Sequence, residues 1–226
     1  MTDKFMRPIR SFVLRQGRLT KGQALALKTG WPVYGIDRGD DLLDLSTLFE
    51  NDNSVTLEIG FGDGVSLATM AENSPDKNFI GIEVHRPGVG RLLHLIQEKA
   101  LKNVRVMDDD AVQIIKQRIP ENSLERVQLF FPDPWHKKRH NKRRIVQPAF
   151  VSLIASRLKV GGVFHLATDW EPYAEHMAEV MEASSEFESV IDTPFSPKPD
   201  ERPTTKFETR GLKLGHGVWD LLYEKR

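Results

Sequence analysis

Cysteine is absent from the 226 residues of this sequence. Disulfide bonds, zinc–thiolate sites and cysteine nucleophiles are therefore excluded, and the composition suits a reducing compartment. The sequence also lacks an apolar run near the ~18 residues that a membrane span requires, and its start does not show the basic-then-apolar pattern of a secretory signal. We therefore expect a soluble, cytoplasmic protein that does not enter a membrane.

A net charge is missing too, because 32 Lys and Arg residues balance 32 Asp and Glu residues. A dedicated nucleic-acid-binding domain often has a pI above about 9, whereas the pI here is near 7.1. The charges are nevertheless segregated along the chain. Residues 1–30 contain seven basic residues against Asp3 alone, and residues 137–144 contain six basic residues and no acidic one. Such basic segments can attract a polyanion to a neutral protein.

The basic start is interpreted as an arm over residues 1–30, partly flexible, followed by one folded domain over residues 31–226. An organelle transit peptide is the alternative, because such peptides are also basic and poor in acidic residues. The Gly and Thr residues within the segment fit a docking arm equally well.

From about residue 54 onward, short β-branched runs alternate with segments of helical period, which predicts an α/β fold with a parallel sheet flanked by helices. The predicted strands are residues 55–60, 79–84, 103–108, 126–131 and 163–168, with two more in FESVI and VWDLLYEK. The predicted helices are residues 65–73, the segment after Pro87, the segment from Pro148 through Leu158 to Gly161, and the segment after Glu171. Four prolines within residues 193–205 predict a long loop, whose length suggests a function.

Carboxylates stand near the ends of the predicted strands, where open parallel sheets bind ligands. The first strand leads into a glycine turn, residues 60–64, and Glu83 ends the second strand. Such a turn lets the backbone approach a nucleoside, and the acidic residue can bind its ribose. Val65 replaces the third glycine of a dinucleotide fingerprint, and Glu58 and Asp63 would repel a pyrophosphate. The pattern favours a cationic, phosphate-free cofactor such as S-adenosylmethionine, with a turn needed only for packing as the alternative.

Two of the carboxylates have more than one interpretation. Asp110 could accept a hydrogen bond from an adenine amino group, or it could cap the helix that begins at Ala111, and the two roles are compatible. Glu58 lies inside an apolar strand, where a carboxylate needs a partner. The ammonium group of a bound methionine moiety or the amides of the glycine turn would provide one.

The segment FFPDPWHKKRHNKRR is the most informative part of the sequence. Two prolines fix the backbone around Asp133, and a rigidly placed carboxylate at a strand tip can hold a base within reach of a reactive group. Trp135 offers a face for stacking, and the basic residues 137–144 suit phosphate contacts to RNA. A nuclear localisation signal and a solvated charged surface are the alternative interpretations of the basic run.

Five segments together resemble the bacterial tRNA (guanine-N7-)-methyltransferase family, in order: VTLEIGFGDG, FIGIEVHRPGVG, LFFPDPWHKKRHNKRR, FHLATDW and TTKFETRG. The glycine turn alone occurs in many methyltransferases, whereas PDPWHKKRH with a distal TKFE is specific. The resemblance implies a Rossmann-like class I methyltransferase fold, with a mostly parallel seven-stranded sheet and helices on both faces, over residues 31–226. It also implies methyl transfer from S-adenosylmethionine to N7 of a guanosine in tRNA, at position 46 of the variable loop.

The resemblance further implies a set of site residues. Asp133 would be the catalytic residue. The cofactor would contact Glu58, Gly60, Gly62, Glu83, Asp110 and Asp133. The substrate would contact Lys137, Asp169, Thr205, Lys206, Phe207 and Glu208, and the RNA would contact Lys138, Arg139, His140, Asn141, Lys142, Arg143 and Arg144. Asp169 could instead cap the helix that follows it.

The expected partner is tRNA, no metal is expected, and a monomer is preferred to a homodimer. Three other functions are alternatives: a methyltransferase with another substrate, a non-catalytic RNA-binding protein on the same fold, and a nicotinamide-dependent dehydrogenase. The spacing of the glycine turn and the presence of Glu58 disfavour the dehydrogenase.

Overall fold

The computed structural model describes residues 11–12, 17–205, 208–209 and 217–226. The expectations for Lys206, for Phe207 and for much of the basic start concern residues outside this description. Seven strands form one sheet within the described residues: β1 Val55–Ile59, β2 Asn78–Ile82, β3 Val104–Met107, β4 Leu124–Phe130, β5 Leu158–Thr168, β6 Phe187–Ser189 and β7 Trp219–Lys225.

The strand order across the sheet is β3-β2-β1-β4-β5-β7-β6. Strands β1 to β5 are parallel to one another, and β7 is antiparallel to both β5 and β6. The mostly parallel seven-stranded sheet is therefore confirmed. The strand order reverses between β1 and β4, and ligands of such sheets bind in the crevice beyond the carboxyl ends of the strands at this position.

Helices cover both faces of the sheet, as expected. They are α1 Lys21–Tyr34, α2 Leu45–Phe49, α3 Val65–Asn73, α4 Arg86–Glu98, α5 Ala111–Gln117, α6 Pro148–Arg157 and α7 Glu171–Glu182. One hydrophobic cluster joins α2, α5, α6 and α7 to the sheet face that carries Leu57 and Leu129. A second cluster joins α1, α3 and α4 to the opposite face, which carries Phe79 and Val106.

Helix α1 begins within the segment that we interpreted as an arm. Thr20 caps it reciprocally: Gln23 N donates to Thr20 Oγ1 (3.2 Å), and Thr20 N donates to Gln23 Oε1 (2.9 Å). The helix packs along α4, where Gln23 Nε2 donates to the Pro87 carbonyl (3.0 Å). The boundary that we set at residue 30 falls inside this helix.

The helix that begins at Pro148 is shorter than predicted. Helix α6 ends at Arg157, and Leu158 is the first residue of β5, where it pairs with Leu124 of β4. After a register shift, the strand continues through Gly161. Our assignment of Leu158 to the helix was wrong, because one buried apolar residue fits the helical and the strand period equally well.

The proline-rich stretch 193–205 has no helix and no strand, apart from a bridge between Ser196 and Asp220. Its Arg202 side chain is 2% exposed and lies against Phe130 of β4 and the Asp220 carboxylate of β7. Phe130 belongs to the hydrophobic cluster on the sheet face that α1, α3 and α4 cover. The long loop therefore packs on the same face of the sheet, beside β4 and β7.

Candidate active site

The three glycines of the turn after β1 differ in how closely other side chains approach them. Gly60, Gly62 and Gly64 all have positive φ angles, between 60° and 73°. A β-carbon at Gly64 would lie 2.6 Å from Leu92 Cβ, so this position is needed for packing. Positions 60 and 62 have no such neighbour within 4 Å. The turn therefore packs tightly at its end and leaves open space over its beginning, which a ligand can use.

Glu83 is held by the backbone at the end of β2. Its Oε2 accepts from Gly62 N (2.9 Å), and its Oε1 accepts from Val84 N (2.8 Å) and His85 N (2.9 Å). An ionised carboxylate has about four acceptor sites, so these three amides leave capacity for a ligand hydroxyl. These three interactions fix the carboxylate beside the glycine turn.

A cavity of about 510 Å³ lies beyond the carboxyl ends of β1, β2 and β4. It is lined by four of the six residues expected to bind the cofactor: Gly60, Glu83, Asp110 and Asp133. Its volume lies within the ~300–1,000 Å³ that is usual for small-molecule sites. The other two residues, Glu58 and Gly62, do not line it.

Glu58 is buried beneath this region and is 3% exposed. Its Oε2 has no hydrogen-bond partner within the described residues. The three glycine amides of the turn donate elsewhere, to Ile82 O, Glu83 Oε2 and Phe61 O, so the turn is not the partner that we considered. Burial, and then the charge of Glu83, raises the pKa of Glu58 to about 8. A buried carboxyl oxygen without a partner fits the ammonium group of a ligand.

Asp110 has the capping role that we considered for it. Its Oδ1 accepts from Val112 N (3.0 Å) at the start of α5. The residue also lines the cavity. Capping occupies one carboxylate oxygen, so a contact to a ligand is still possible.

Asp133 stands in the loop after β4, between two aromatic residues with left-handed backbone. Phe131 has a φ of 51° and Trp135 a φ of 48°. Non-glycine residues adopt this conformation at a cost of about 1–3 kcal/mol, often at functional sites. The Asp133 side chain is exposed, and within the described residues no hydrogen bond or ion pair engages it. The loop thus presents a free carboxylate at the cavity.

Trp135 and Arg143 contact the beginning of the described chain. The Arg143 guanidinium lies 3.7 Å from the centre of the Trp135 ring system. Trp135 Nε1 donates to Ser11 O (3.0 Å), and Arg143 Nη2 donates to Phe12 O (3.4 Å). One face of Trp135 is therefore already stacked on an arginine, and Ser11 and Phe12 lie against the cavity.

The basic run forms a 3₁₀ helix, Lys138–Arg143. Its exposed members are Lys137, Lys138, Arg139 and Lys142, whereas His140, Asn141 and Arg143 are partly buried. Partial desolvation, followed by the charges of the basic neighbours, lowers the pKa of His140. Most of the run is thus a cationic surface beside the Asp133 loop.

Arg144 is the exception in the basic run. It is 5% exposed, and its guanidinium lies over the Tyr173 ring at 4.8 Å. Nε donates to Pro134 O (3.0 Å), and Nη1 donates to Pro172 O (3.1 Å). Our expectation that Arg144 contacts RNA does not fit this buried, hydrogen-bonded position.

Asp169 lies in the loop between β5 and α7 and is partly buried. The N-cap residue of α7 is Trp170, and no side chain caps the helix there. The capping alternative for Asp169 was therefore wrong. Like Lys137, Thr205 and Glu208, Asp169 does not line the cavity of the glycine turn.

The described part of the TKFE motif is anchored to a buried ion-pair network. Thr205 N donates to Glu208 Oε2 (3.3 Å), and Glu208 N donates to Thr205 Oγ1 (3.1 Å). Glu208 is 4% exposed, and its carboxylate accepts from Arg202 at 2.7 and 3.2 Å. The Glu208 carboxylate therefore has a structural role, whatever else it contacts.

Sequence reasoning missed the remaining members of this network. Arg202 also donates to both Asp220 oxygens, at 2.6 and 2.8 Å, and His165 Nε2 lies 2.8 Å from Asp220 Oδ1. Because a carboxylate only accepts, the imidazole must donate. Burial lowers the pKa of His165, despite its bond to Asp220. The available signal was the presence of His165 and Asp220 in otherwise apolar strands.

Comparison with known proteins identifies the family. A protein-family model described as "Putative methyltransferase" matches residues 52–221. A tRNA (guanine-N(7)-)-methyltransferase of Alcanivorax borkumensis is 60% identical over 226 residues, which is 100% of this chain and 95% of that protein. The enzyme of the same name from Aeromonas hydrophila is 60% identical over 223 residues, covering 98% of this chain and 94% of that protein. The chain belongs to the tRNA (guanine-N7-)-methyltransferase family.

Solved structures support the fold of this family member. The 16S rRNA methyltransferase KamB superposes with a TM-score of 0.60 at 15% identity, covering 85% of this chain and 99% of that one. An rRNA methylase from Streptococcus thermophilus gives a TM-score of 0.51 at 12% identity, covering 77% and 87%. At such low identity these matches establish a common fold only, and they confirm the Rossmann-like methyltransferase class.

Two features are absent from the described residues. No group of three or more His, Asp or Glu side chains is placed to hold a metal ion. None of the described helices combines the length and the apolar character needed to cross a bilayer.

Proposed function

We propose that this chain transfers the methyl group of S-adenosylmethionine to N7 of a guanosine in tRNA. The observation that carries the proposal is that Glu83 and Asp133 line the same cavity. The first is expected to bind the cofactor and the second to act on the guanine base. The substrate agrees with the names of the relatives at 60% identity.

The residues near the glycine turn fit S-adenosylmethionine, which supplies an electrophilic methyl group bound to a sulfonium sulfur. Glu83 would accept from the ribose hydroxyls, and Asp110 would face the adenine amino group. Glu58 would pair with the ammonium group of the methionine moiety, which is the partner its buried Oε2 lacks. The open space at Gly60 would admit the cofactor against the backbone.

Asp133 would act on the guanine. N7 has a free in-plane lone pair, so no proton must leave before attack, and a strong general base is unnecessary. Methylation makes the base cationic, and a nearby carboxylate can stabilise this developing charge. Alternatively, Asp133 accepts from N1–H and the amino group and so orients the ring. Alignment of N7 with the methyl group would supply most of the acceleration.

The exposed cations beside the Asp133 loop would bind the tRNA backbone. Lys138, Arg139 and Lys142 are members of this surface, with Lys137 closer to the base. A groove of about 1,710 Å³ shares Asp110 with the smaller cavity and is lined by Lys142 of this surface and by two further cations, Lys28 and Arg38. Thr205 and Asp169 would contact the substrate at the rim.

The proposal extends to the position of the guanosine, the location of the reaction and the oligomeric state of the active protein. The methylated guanosine is the one at position 46 in the variable loop, as the resemblance implies. The reaction takes place in the cytoplasm, where tRNA is modified. The active unit is a monomer.

The proposal is tested by incubating the protein with labelled S-adenosylmethionine and unmodified tRNA, and then digesting the RNA to nucleosides. Labelled 7-methylguanosine is the expected product. The same tRNA with adenosine at position 46 serves as the matched substrate and should receive no label. Label in another nucleoside, or on protein, would favour a methyltransferase of other specificity. Binding of tRNA without any labelled product would favour the non-catalytic alternative.

A further inference from the structure

The side chain of Arg144 joins the loop that follows β4, which contains Asp133, to the first turn of α7. This turn directly follows the short loop after β5, which contains Asp169. Arg144 Nε donates to the carbonyl of Pro134, the neighbour of Asp133, and Nη1 donates to the carbonyl of Pro172, at the start of α7. One guanidinium thus contacts the backbone of the Asp133 loop and of the first turn of α7, three residues after Asp169.

The arginine is itself firmly placed. It is 5% exposed, and its guanidinium lies over Tyr173, which is fully buried in α7. Val146 N donates to the Tyr173 hydroxyl (3.4 Å), so the ring is tied to the segment that follows Arg144. A second contact joins the Asp133 loop to the loop between β5 and α7, where the His136 and Trp170 rings meet edge to face at 4.3 Å.

We propose that Arg144 is a positioning residue that sets Asp133 relative to Asp169, and that it is not a phosphate-binding member of the basic run. The inference rests on the proposed function, because it concerns where Asp133 meets the base. A planar guanidinium presents two donors in a fixed geometry, whereas a lysine ammonium at the end of a flexible stem does not. A displacement of about 1 Å at a reacting group can lower a rate by as much as ~100-fold.

Arg118 offers a matched control. It is 8% exposed, and it also donates from Nε and Nη1 to two backbone carbonyls, those of Asp41 (3.1 Å) and Asp37 (2.5 Å). It lines neither the cavity nor the groove. Substitution there removes a comparable buried arginine without touching the Asp133 loop.

The experiment compares Arg144→Lys and Arg144→Met with Arg118→Lys and Arg118→Met in the full chain. Each protein is tested for thermal unfolding, for S-adenosylmethionine affinity, for tRNA affinity as a function of salt, and for the single-turnover rate of 7-methylguanosine formation at saturation. We expect Arg144→Met to slow the single turnover roughly 10- to 100-fold relative to Arg118→Met. Arg144→Lys should recover part of the rate, with both affinities and the salt slope unchanged.

Equal single-turnover rates in the Arg144 and Arg118 variants would overturn the inference. A salt slope that falls by roughly 0.7 to 1 in Arg144→Met would also overturn it, because such a fall indicates that Arg144 binds a phosphate. If Arg144→Met does not fold, the comparison of the two lysine variants decides alone. Failure of the unsubstituted protein to form 7-methylguanosine would overturn the proposed function, and the inference with it. Product formation by that protein with no effect at Arg144 would overturn only the inference.

Discussion

Glu83 and Asp133 follow β2 and β4, the strands on either side of β1, and both residues line one cavity. The first is fixed by three backbone amides, and the second stands free in its loop. A ligand bound to Glu83 would therefore share one cavity with Asp133. The proposed chemistry depends on this relationship.

Asp133 is expected to matter for turnover more than for cofactor binding. Replacement of Asp133 by Ala should lower kcat on the order of 100-fold, the lower end of the loss typical for a group that stabilises developing charge. Asp133→Asn retains one acceptor, so a milder loss would favour ring orientation over charge stabilisation. Turnover and S-adenosylmethionine affinity are measured separately. Unchanged turnover in both variants would remove Asp133 from the chemistry.

Glu58 should make the stability of the ligand-free protein depend on pH. Its pKa is about 8 in the folded protein against an ordinary 4.5, so the folded state binds the proton more tightly than the unfolded state. Its contribution to the free energy of unfolding is complete below about pH 4.5 and is lost as pH rises through 8, by about 1.4 kcal/mol per pH unit between these values.

Urea unfolding of the native protein and of Glu58→Gln at several pH values between 4.5 and 8 checks this expectation. The variant should show a flatter dependence, because glutamine does not titrate. Glu175→Gln, at an exposed position of α7, serves as the control and should retain the native slope. Parallel curves for the native protein and Glu58→Gln would contradict the prediction.

The exposed basic residues should determine the salt dependence of tRNA binding. Substitution of Lys138 or Arg139 by Ala should weaken binding and reduce the slope of log K against log salt by roughly 0.7 to 1 for each phosphate that the variant no longer neutralises. Lys159→Ala, exposed at the start of β5, should leave the slope intact. A slope that is unchanged in the first two variants would count against RNA binding by this surface.

Arg202 should be important for stability. Arg202→Met would remove the guanidinium from which the buried Glu208 and Asp220 carboxylates both accept, leaving Lys198 beside Glu208 and His165 beside Asp220. Loss of one member of a buried ion pair typically costs about 3–5 kcal/mol. The exposed pair of Arg226 and Glu188, 3.3 Å apart, provides the comparison. Arg226→Met should cost about 1 kcal/mol or less. Equal unfolding free energies for the two variants would contradict a structural role for the network.

The sequence was sufficient where periodicity and strand ends carry the information. Helix α3 begins and ends at the predicted residues 65 and 73, and the glycine turn, Glu83 and Asp110 stand together as expected. These features are local, or follow from the rule that the carboxyl ends of parallel strands meet at one edge. Helix α1 was missed because its basic composition suggested an arm, although Thr20 and Gln23 carry the capping-box spacing.

Burial of charged side chains could not be deduced from the chain alone. Arg144 stands among exposed cations in the sequence, yet it is turned inward to two carbonyls. Arg202 stands in a proline-rich loop, where an exposed position is the ordinary expectation. Both burials depend on partners distant in sequence, Pro172 and Asp220, which only the folded arrangement brings near.

The left-handed backbone at Phe131 and Trp135 restricts the loop that carries Asp133. Side chains branched at Cβ are strongly disfavoured at both positions, which restricts the sequences that can form this loop. The contacts of the folded protein compensate its unfavourable dihedral angles. If Asp133 acts on the guanine as we propose, the base would meet a loop whose backbone is already fixed around Asp133, and the conformational adjustment would fall to the nucleic acid.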